Sequence, residues 1–144
     1  MSTGPIVIEQ AFGRPPSDVW AAITDPVQMR QWYFEMIADF RAEVGFETGF
    51  VVHSDGQDYL HRWCVTEVVP GEHIAYRWRY GDDPGDSAVT WSLAPGSAGT
   101  LLVFHHQGHE TLLASRGDAS ARHDAFLAAW RFLIQDSLVE FLAR

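Results

Sequence analysis

Lysine is absent from this 144-residue chain, and basic residues are few. Ten arginines face 19 aspartates and glutamates, which gives a formal net charge of −9 at pH 7. Binding to nucleic-acid backbones or to anionic membranes relies on basic patches, so this balance argues against both kinds of partner. Without lysine, the chain has neither a Schiff-base lysine nor the lysine of a phosphate-binding P-loop.

Cysteine and long apolar runs are also scarce. Cys64 is the only cysteine, so no disulfide can form within the chain and nothing indicates an oxidising compartment. No segment reaches the ~20 apolar residues of a membrane-spanning helix. Residues 1–5 lack the charged and then apolar layout of a signal peptide. We therefore expect a cytoplasmic protein.

Aromatic residues, in contrast, are abundant: there are nine Phe, six Trp and four Tyr. The composition, 47% hydrophobic and 20% charged, is that of a globular protein. A length of 144 residues matches one domain, which we predict over residues 1–144. A chain of this size can bury a core without disulfides or metals, but these rings are a large apolar surface for one small core to absorb.

The hydrophobic period predicts mostly strands. A strand is expected at residues 6–12, followed by two short helices at residues 16–25 and 27–33. Six further strands follow at period two, at residues 37–43, 46–53, 59–68, 74–80, 89–93 and 100–106. Consecutive strands joined by short turns predict a seven-stranded antiparallel sheet.

The end of the chain is predicted to be helical. Apolar residues recur at three- and four-residue spacing from Phe126 to Leu142, with Ser120 or Asp118 as the N-cap. One long amphipathic helix and one sheet indicate an α+β domain in which the helix lies across a face of the sheet.

Four groups of local motifs occur in a specific order. They are Pro16-Ser17-Asp18-Val19-Trp20 with Thr24-Asp25-Pro26 and Trp32-Tyr33, Val65-Thr66-Glu67-Val68-Val69-Pro70 with Ile74-x-Tyr76-x-Trp78, Gly99-Thr100 with His106-Gln107-Gly108, and Trp130 with Leu138 and Phe141-Leu142. In this order they resemble the START-like (SRPBCC) superfamily, specifically the branch named for the activator of Hsp90 ATPase homologues.

The resemblance implies a helix-grip fold, in which a curved seven-stranded antiparallel sheet wraps around the C-terminal helix. It also implies an elongated, largely apolar cavity between the two, as in the polyketide cyclases and lipid-transport proteins of the same clan. Two positions depart from the family pattern: Phe46 and Ala129 stand where relatives often carry glycine. We expect Phe46 to narrow the mouth of the cavity.

Aromatic rings on the inward faces of the strands and on the last helix are the candidate cavity wall. This face is rich in rings with polar groups, as expected of a ligand pocket, although plain core packing is the alternative interpretation. The predicted ligand-binding residues are Trp32, Tyr33, Phe50, His61, Trp63, Tyr76, Trp78, Trp91, Phe104, His106, Phe126 and Trp130.

Three residues are candidates for acid–base chemistry: His106, His61 and Glu67. Each lies on a predicted inward face, where histidine titrates near neutral pH and a carboxylate can act as a base. The alternatives are a hydrogen-bonded core or rim histidine and a rim carboxylate. His105, His106 and His109 do not indicate zinc, because adjacent strand residues point to opposite faces. We expect no metal and no cofactor.

Three functions therefore stay open. The preferred hypothesis is binding of a small hydrophobic or aromatic molecule without turnover, by a monomer or a homodimer. The first alternative is a cyclase- or hydratase-like enzyme that uses a cavity His or Glu as its acid–base group. The second is a co-chaperone-type module that binds a protein partner through the outer sheet surface or the loop at residues 81–86.

Overall fold

The computed structural model describes residues 4–144, so the first three residues of the predicted domain lie outside that range. The elements in chain order are β1 (Ile6–Phe12), α1 (Pro16–Thr24), α2 (Pro26–Trp32), β2 (Glu47–Ser54), β3 (Gln57–Val69), β4 (His73–Tyr80), β5 (Ser87–Gly96), β6 (Gly99–Gln107), a 3₁₀ turn (His109–Thr111), α3 (Ala119–Arg131), a π-helical segment (Phe132–Leu138) and α4 (Val139–Leu142). The predicted α+β class, the two short helices after the first strand and the long C-terminal helix are confirmed.

The strands form a single antiparallel sheet in the order β1-β6-β5-β4-β3-β2. Alternate residues face the core, as the period of two predicts; in β4, Tyr76 and Trp78 are buried whereas Arg77 is exposed. The C-terminal helix lies across this inner face, where the Trp130 ring centre is 5.1 Å from Trp78 and 4.2 Å from Phe104. The architecture is therefore that of a helix grip.

The sheet has six strands rather than the predicted seven, because residues 37–43 do not form a strand. The buried side chains in this segment, Ile37 and Phe40, are three residues apart, a spacing that does not fit a strand. The Arg30 guanidinium donates hydrogen bonds to the carbonyl oxygens of Ile37 at 2.9 Å and Ala38 at 3.3 Å. The Arg30 side chain therefore forms hydrogen bonds with carbonyl groups that would otherwise pair with a neighbouring strand.

The C-terminal helix begins at Asp118, one of the two predicted N-caps, whose Oδ1 accepts a hydrogen bond of 2.8 Å from the Ala121 amide. Its buried stripe repeats every four residues, at Trp130, Ile134, Leu138 and Leu142. Such a repeat drifts around a regular α-helix of 3.6 residues per turn. The wider π-helical turns reduce that drift and keep the stripe facing the sheet. No helix within residues 4–144 is long and apolar enough to cross a membrane.

Candidate functional site

An open cleft of about 330 Å³ lies between the sheet and the first half of the C-terminal helix. Most of its surface is apolar or aromatic, and β2, β3, β4, α3 and the segments after α2 and β6 all contribute to it. The lining residues are Phe34, Val52, Ser54, Tyr59, His61, Trp78, Tyr80, Leu113, Arg116, Arg122, Ala125, Phe126, Ala129, Trp130 and Leu133.

Four of the twelve predicted ligand-binding residues line this cleft: His61, Trp78, Phe126 and Trp130. Three of the four rings are in contact, since the Trp78 ring centre lies 5.1 Å from both His61 and Trp130. The sheet and the helix therefore meet at the cleft through aromatic rings. For these four positions, the structure brings together side chains from β3, β4 and α3.

The other eight predicted residues are buried in the core and do not line the cleft. They are Trp32, Tyr33, Phe50, Trp63, Tyr76, Trp91, Phe104 and His106. Tyr33 is central among them, with ring centres 4.7 Å from Trp32, 5.3 Å from Trp63 and 5.9 Å from Trp91. Below the cleft, packed aromatic rings thus fill the space between the sheet and the helix. The eight residues belong to the buried core.

The packed rings satisfy part of their polar groups internally. The hydroxyls of Tyr33 and Tyr76 are 2.7 Å apart, and the Trp91 indole donates to the Tyr76 hydroxyl at 3.1 Å. Burial raises the pKa of both phenols, so neither ionises at neutral pH. Trp32 donates to the Ala22 carbonyl at 2.7 Å. This network orients the rings that support the cleft.

His106 is fully buried behind the cleft and belongs to a chain of hydrogen bonds. The Trp130 indole can only donate, so Nδ1 of His106 accepts its bond at 2.9 Å. Nε2 therefore carries the proton and donates to the Ser87 hydroxyl at 2.9 Å, which in turn donates to the Trp78 carbonyl at 2.7 Å. Burial, and secondarily the neighbouring His109, lowers the pKa of His106 to about 3. The ring is neutral at pH 7 and both nitrogens are occupied.

His61 differs because it borders the cleft. Its ring stacks on Phe50 at 5.1 Å, and Nδ1 donates to the Tyr59 carbonyl oxygen at 3.0 Å. Burial outweighs this hydrogen bond and lowers the pKa of His61 to about 4. At pH 7 the ring is therefore neutral, with a lone pair on Nε2. Within the described chain Nε2 makes no hydrogen bond, so it is available to accept one from a ligand.

Glu67 lies on the outer face of the sheet, so the prediction that it shares a face with His61 and Trp63 is wrong. A β-bulge between Val65 and Glu67 inserts a residue into β3 and reverses its alternation. The Glu67 side chain is 67% exposed, and its Oε1 lies 3.0 Å from Nε2 of His73. It does not reach the cleft.

The two departures from the family pattern lie in different places. Phe46 packs edge-on against Phe40, with ring centres 6.0 Å apart, and it does not line the cleft. The expectation that it narrows the mouth is therefore wrong. Ala129 does line the cleft, as one of several residues that α3 contributes.

The closely spaced histidines at the end of β6 and just after it point in different directions, as the strand period predicts for His105 and His106. His105 is exposed on the outer face and His106 is buried on the inner face. His109 pairs instead with His123 of α3, with 2.8 Å between Nε2 and Nδ1. Within residues 4–144, no three His, Cys, Asp or Glu side chains are grouped as metal ligands.

Several lining residues were not predicted. On the helix, Arg122, Ala125, Ala129 and Leu133 follow a three- and four-residue spacing, a signal that points to one face once the helix is placed. Tyr59 and Tyr80 are two residues from His61 and Trp78, so the strand period places them on the same inner face of β3 and β4. Leu113 and Arg116 come from an irregular segment whose position is set by tertiary contact: Oδ2 of Asp83 accepts a hydrogen bond of 3.0 Å from the Leu113 amide. No periodic signal marks them.

Comparison with known proteins agrees with this architecture. Protein MLL2253 from Mesorhizobium loti is 26% identical, with a TM-score of 0.76 over 97% of both chains. Protein CV1439 from Chromobacterium violaceum is 24% identical, with a TM-score of 0.76 over 99% of both chains. Protein BH1534 from Bacillus halodurans is 24% identical, with a TM-score of 0.72 over 96% of both chains. No curated protein is significantly similar to the chain in sequence.

The family model described as Activator of Hsp90 ATPase homolog 1-like protein matches residues 14–143. This range contains every element from α1 to α4. The resemblance inferred from the sequence motifs is therefore confirmed, and the chain belongs to the family of Activator of Hsp90 ATPase homolog 1-like proteins.

Proposed function

We propose that this protein binds a small hydrophobic or aromatic molecule in the cleft between the sheet and α3, without chemical turnover. The observation that carries the proposal is the cleft itself. Its volume of about 330 Å³ falls within the range of small-molecule sites, and its lining is mainly apolar with few polar groups. Burial of the ligand's apolar surface supplies affinity at roughly 25 cal/mol per Å², less the cost of association.

The polar groups of the lining suit orientation of a ligand. Nε2 of His61 is an acceptor, and Ser54, Tyr59 and Tyr80, whose side chains carry hydroxyl groups, line the same cleft. A few such groups in an apolar site fix the direction of a guest more than they add to its affinity. A ligand hydroxyl directed at His61 would donate to Nε2, which has no hydrogen-bond partner within residues 4–144.

Binding is favoured over turnover by the positions of the three acid–base candidates. Glu67 is on the outer face, and both nitrogens of His106 are engaged behind the cleft. Only His61 borders the cleft, and a pKa of about 4 leaves it neutral at pH 7, where it accepts hydrogen bonds and is a poor proton donor.

Native mass spectrometry of the purified protein tests the proposal first, through a co-purified small molecule. A panel of aliphatic and aromatic compounds is then titrated while tryptophan fluorescence is recorded. Trp78 and Trp130 line the cleft, so a true ligand should produce a saturable change in emission. Absence of saturable binding across the panel would overturn the proposal. Recovery of a chemically altered compound would show that the protein is an enzyme and would overturn the part of the proposal that excludes turnover.

A further inference from the structure

The charge of the cleft identifies a class of ligand. We propose that the ligand carries a carboxylate group and that Arg116 and Arg122 bind this group; the inference rests on the proposed function. Both arginines line the cleft, and no Asp or Glu within residues 4–144 does. In a chain with a net charge of −9, the cleft is therefore locally positive.

Neither of these arginines is neutralised by the protein. Four of the other eight arginines contact carboxylates: Arg14 with Asp18, Arg41 with Asp39, and Arg77 and Arg79 with Asp86. In the described part of the chain, Arg116 and Arg122 have no ion pair, although acidic residues outnumber arginines by almost two to one. The positive charge beside the cleft is thus left for a partner outside the chain.

Arg122 is held in position by backbone groups. Its guanidinium donates to the carbonyl oxygen of Glu110 at 2.9 Å and to that of Gly117. Its Nε is sealed from solvent and has no hydrogen-bond partner among residues 4–144. The side chain is therefore preorganised, and of its five N–H groups the second one on Nη1 and the second one on Nη2 are left for a ligand.

Arg116 approaches the cleft from the irregular segment before α3. Its guanidinium carbon lies 5.2 Å from the centre of the Tyr59 ring, and Nη1 donates to Gln57 at 2.5 Å. Most of its donors are unused in the described structure. Two arginines with spare donors, next to Trp78 and Trp130, fit a molecule with an anionic end and an apolar body.

A carboxylate is the anion that this arrangement fits. Arginine binds the two oxygens of a carboxylate through parallel N–H donors, and such charge-assisted hydrogen bonds are stronger than neutral ones. The apolar walls strengthen the interaction by lowering the local dielectric constant. An aliphatic or aromatic carboxylic acid would place its charge at the arginines and its body against the tryptophans.

Isothermal titration calorimetry with 2-naphthoate and 2-naphthamide tests the inference, because the two probes share a ring system and differ in charge. We expect naphthoate to bind about tenfold more tightly or better, and added salt to reduce this advantage. Arg116→Gln should weaken naphthoate binding about tenfold and leave naphthamide binding unchanged. Arg122→Gln should also weaken naphthoate binding. Its thermal stability is measured alongside, because Arg122 donates hydrogen bonds to two backbone carbonyl groups in the folded protein.

Arg131→Gln is the matched control, since Arg131 lies on the same helix but is exposed and outside the cleft. Equal affinities for the two probes, no effect of Arg116→Gln, or an equal effect of Arg131→Gln would overturn the inference while leaving the proposed function in place. Failure of both probes to bind would count against the proposed function itself and would remove the basis of the inference.

Discussion

The Trp130 indole donates a hydrogen bond of 2.9 Å to Nδ1 of His106, which joins the C-terminal helix to β6. His106 continues the chain of hydrogen bonds through Ser87 to the backbone of Trp78. The two tryptophans at its ends both line the cleft. A buried histidine that does not line the cleft therefore links the helix to the sheet at the site.

His106→Phe keeps a ring at this position but removes both nitrogens. The Trp130 N–H is then buried without an acceptor, which costs about 1–3 kcal/mol of the free energy of unfolding. Urea denaturation measures the loss. His105→Phe is the matched control, because His105 is exposed on the outer face, and it should change stability by less than ~0.5 kcal/mol. Equal stability of the two variants would contradict the role given to His106.

The pH dependence of stability follows from the same histidine. The pKa of His106 is lowered from 6.5 to about 3 in the folded protein, so between these values the unfolded chain binds a proton that the folded chain does not. The free energy of unfolding must therefore fall as the pH falls below 6.5, by about 1.4 kcal/mol per pH unit from this residue at most. His61, with a pKa of about 4, acts in the same direction.

Denaturation of the wild type and of His106→Phe at several pH values isolates this contribution. The stability advantage of the wild type should shrink steadily from pH 6 towards pH 4, because the variant has lost the titrating ring. A constant difference over that range would show that His106 titrates alike in the folded and unfolded chains.

Tyr76→Phe tests the hydrogen-bond network of the packed core. The Tyr76 hydroxyl serves two partners, Tyr33 and Trp91, and its removal leaves both without their bond. Tyr33→Phe removes one bond and leaves that from Trp91 in place. We expect both variants to lower the free energy of unfolding, and Tyr76→Phe to cost about 1 kcal/mol more than Tyr33→Phe. The reverse order in chemical denaturation would contradict this network.

Ala129→Phe tests the location of the ligand. Ala129 lines the cleft from α3, so a phenyl ring there takes up space that a ligand needs. Ala128→Phe is the control, because Ala128 is the exposed neighbour on the same helix and does not line the cleft. We expect Ala129→Phe to weaken binding at least about tenfold by calorimetry, a factor equal to ~1.4 kcal/mol, with Ala128→Phe unchanged. Equal binding by both variants would place the ligand elsewhere.

Most of the fold could be predicted from the sequence, because period two and period 3.6 are strong local signals. The strand predicted at residues 37–43 from a period of two is wrong, because two of the carbonyl groups there accept hydrogen bonds from Arg30 of the preceding helix, α2. Glu67 was misplaced by a single inserted residue, the bulge in β3. Neither feature leaves a mark in local sequence.

The site was predicted less well, for a different reason. Periodicity assigns a side chain to the inner face of the sheet. It does not tell whether the rings on that face pack against each other or line a cavity. Tyr76 and Trp91 share the inner face of the sheet with Trp78, yet of the three only Trp78 borders the cleft. That distinction depends on how the helix sits on the sheet. Arg116 comes from an irregular segment, where no period applies.

Pairing of the first strand with the last one affects how the protein folds. β1 lies along β6, with Ile6 opposite His106, while β2 forms the other edge of the sheet. Contacts between residues this far apart in the chain slow folding, because the chain must close a long loop before they form. The walls of the cleft are likewise drawn from residues 34 to 133, so a ligand that binds them would bind the folded chain and not the unfolded one, which raises the free energy of unfolding.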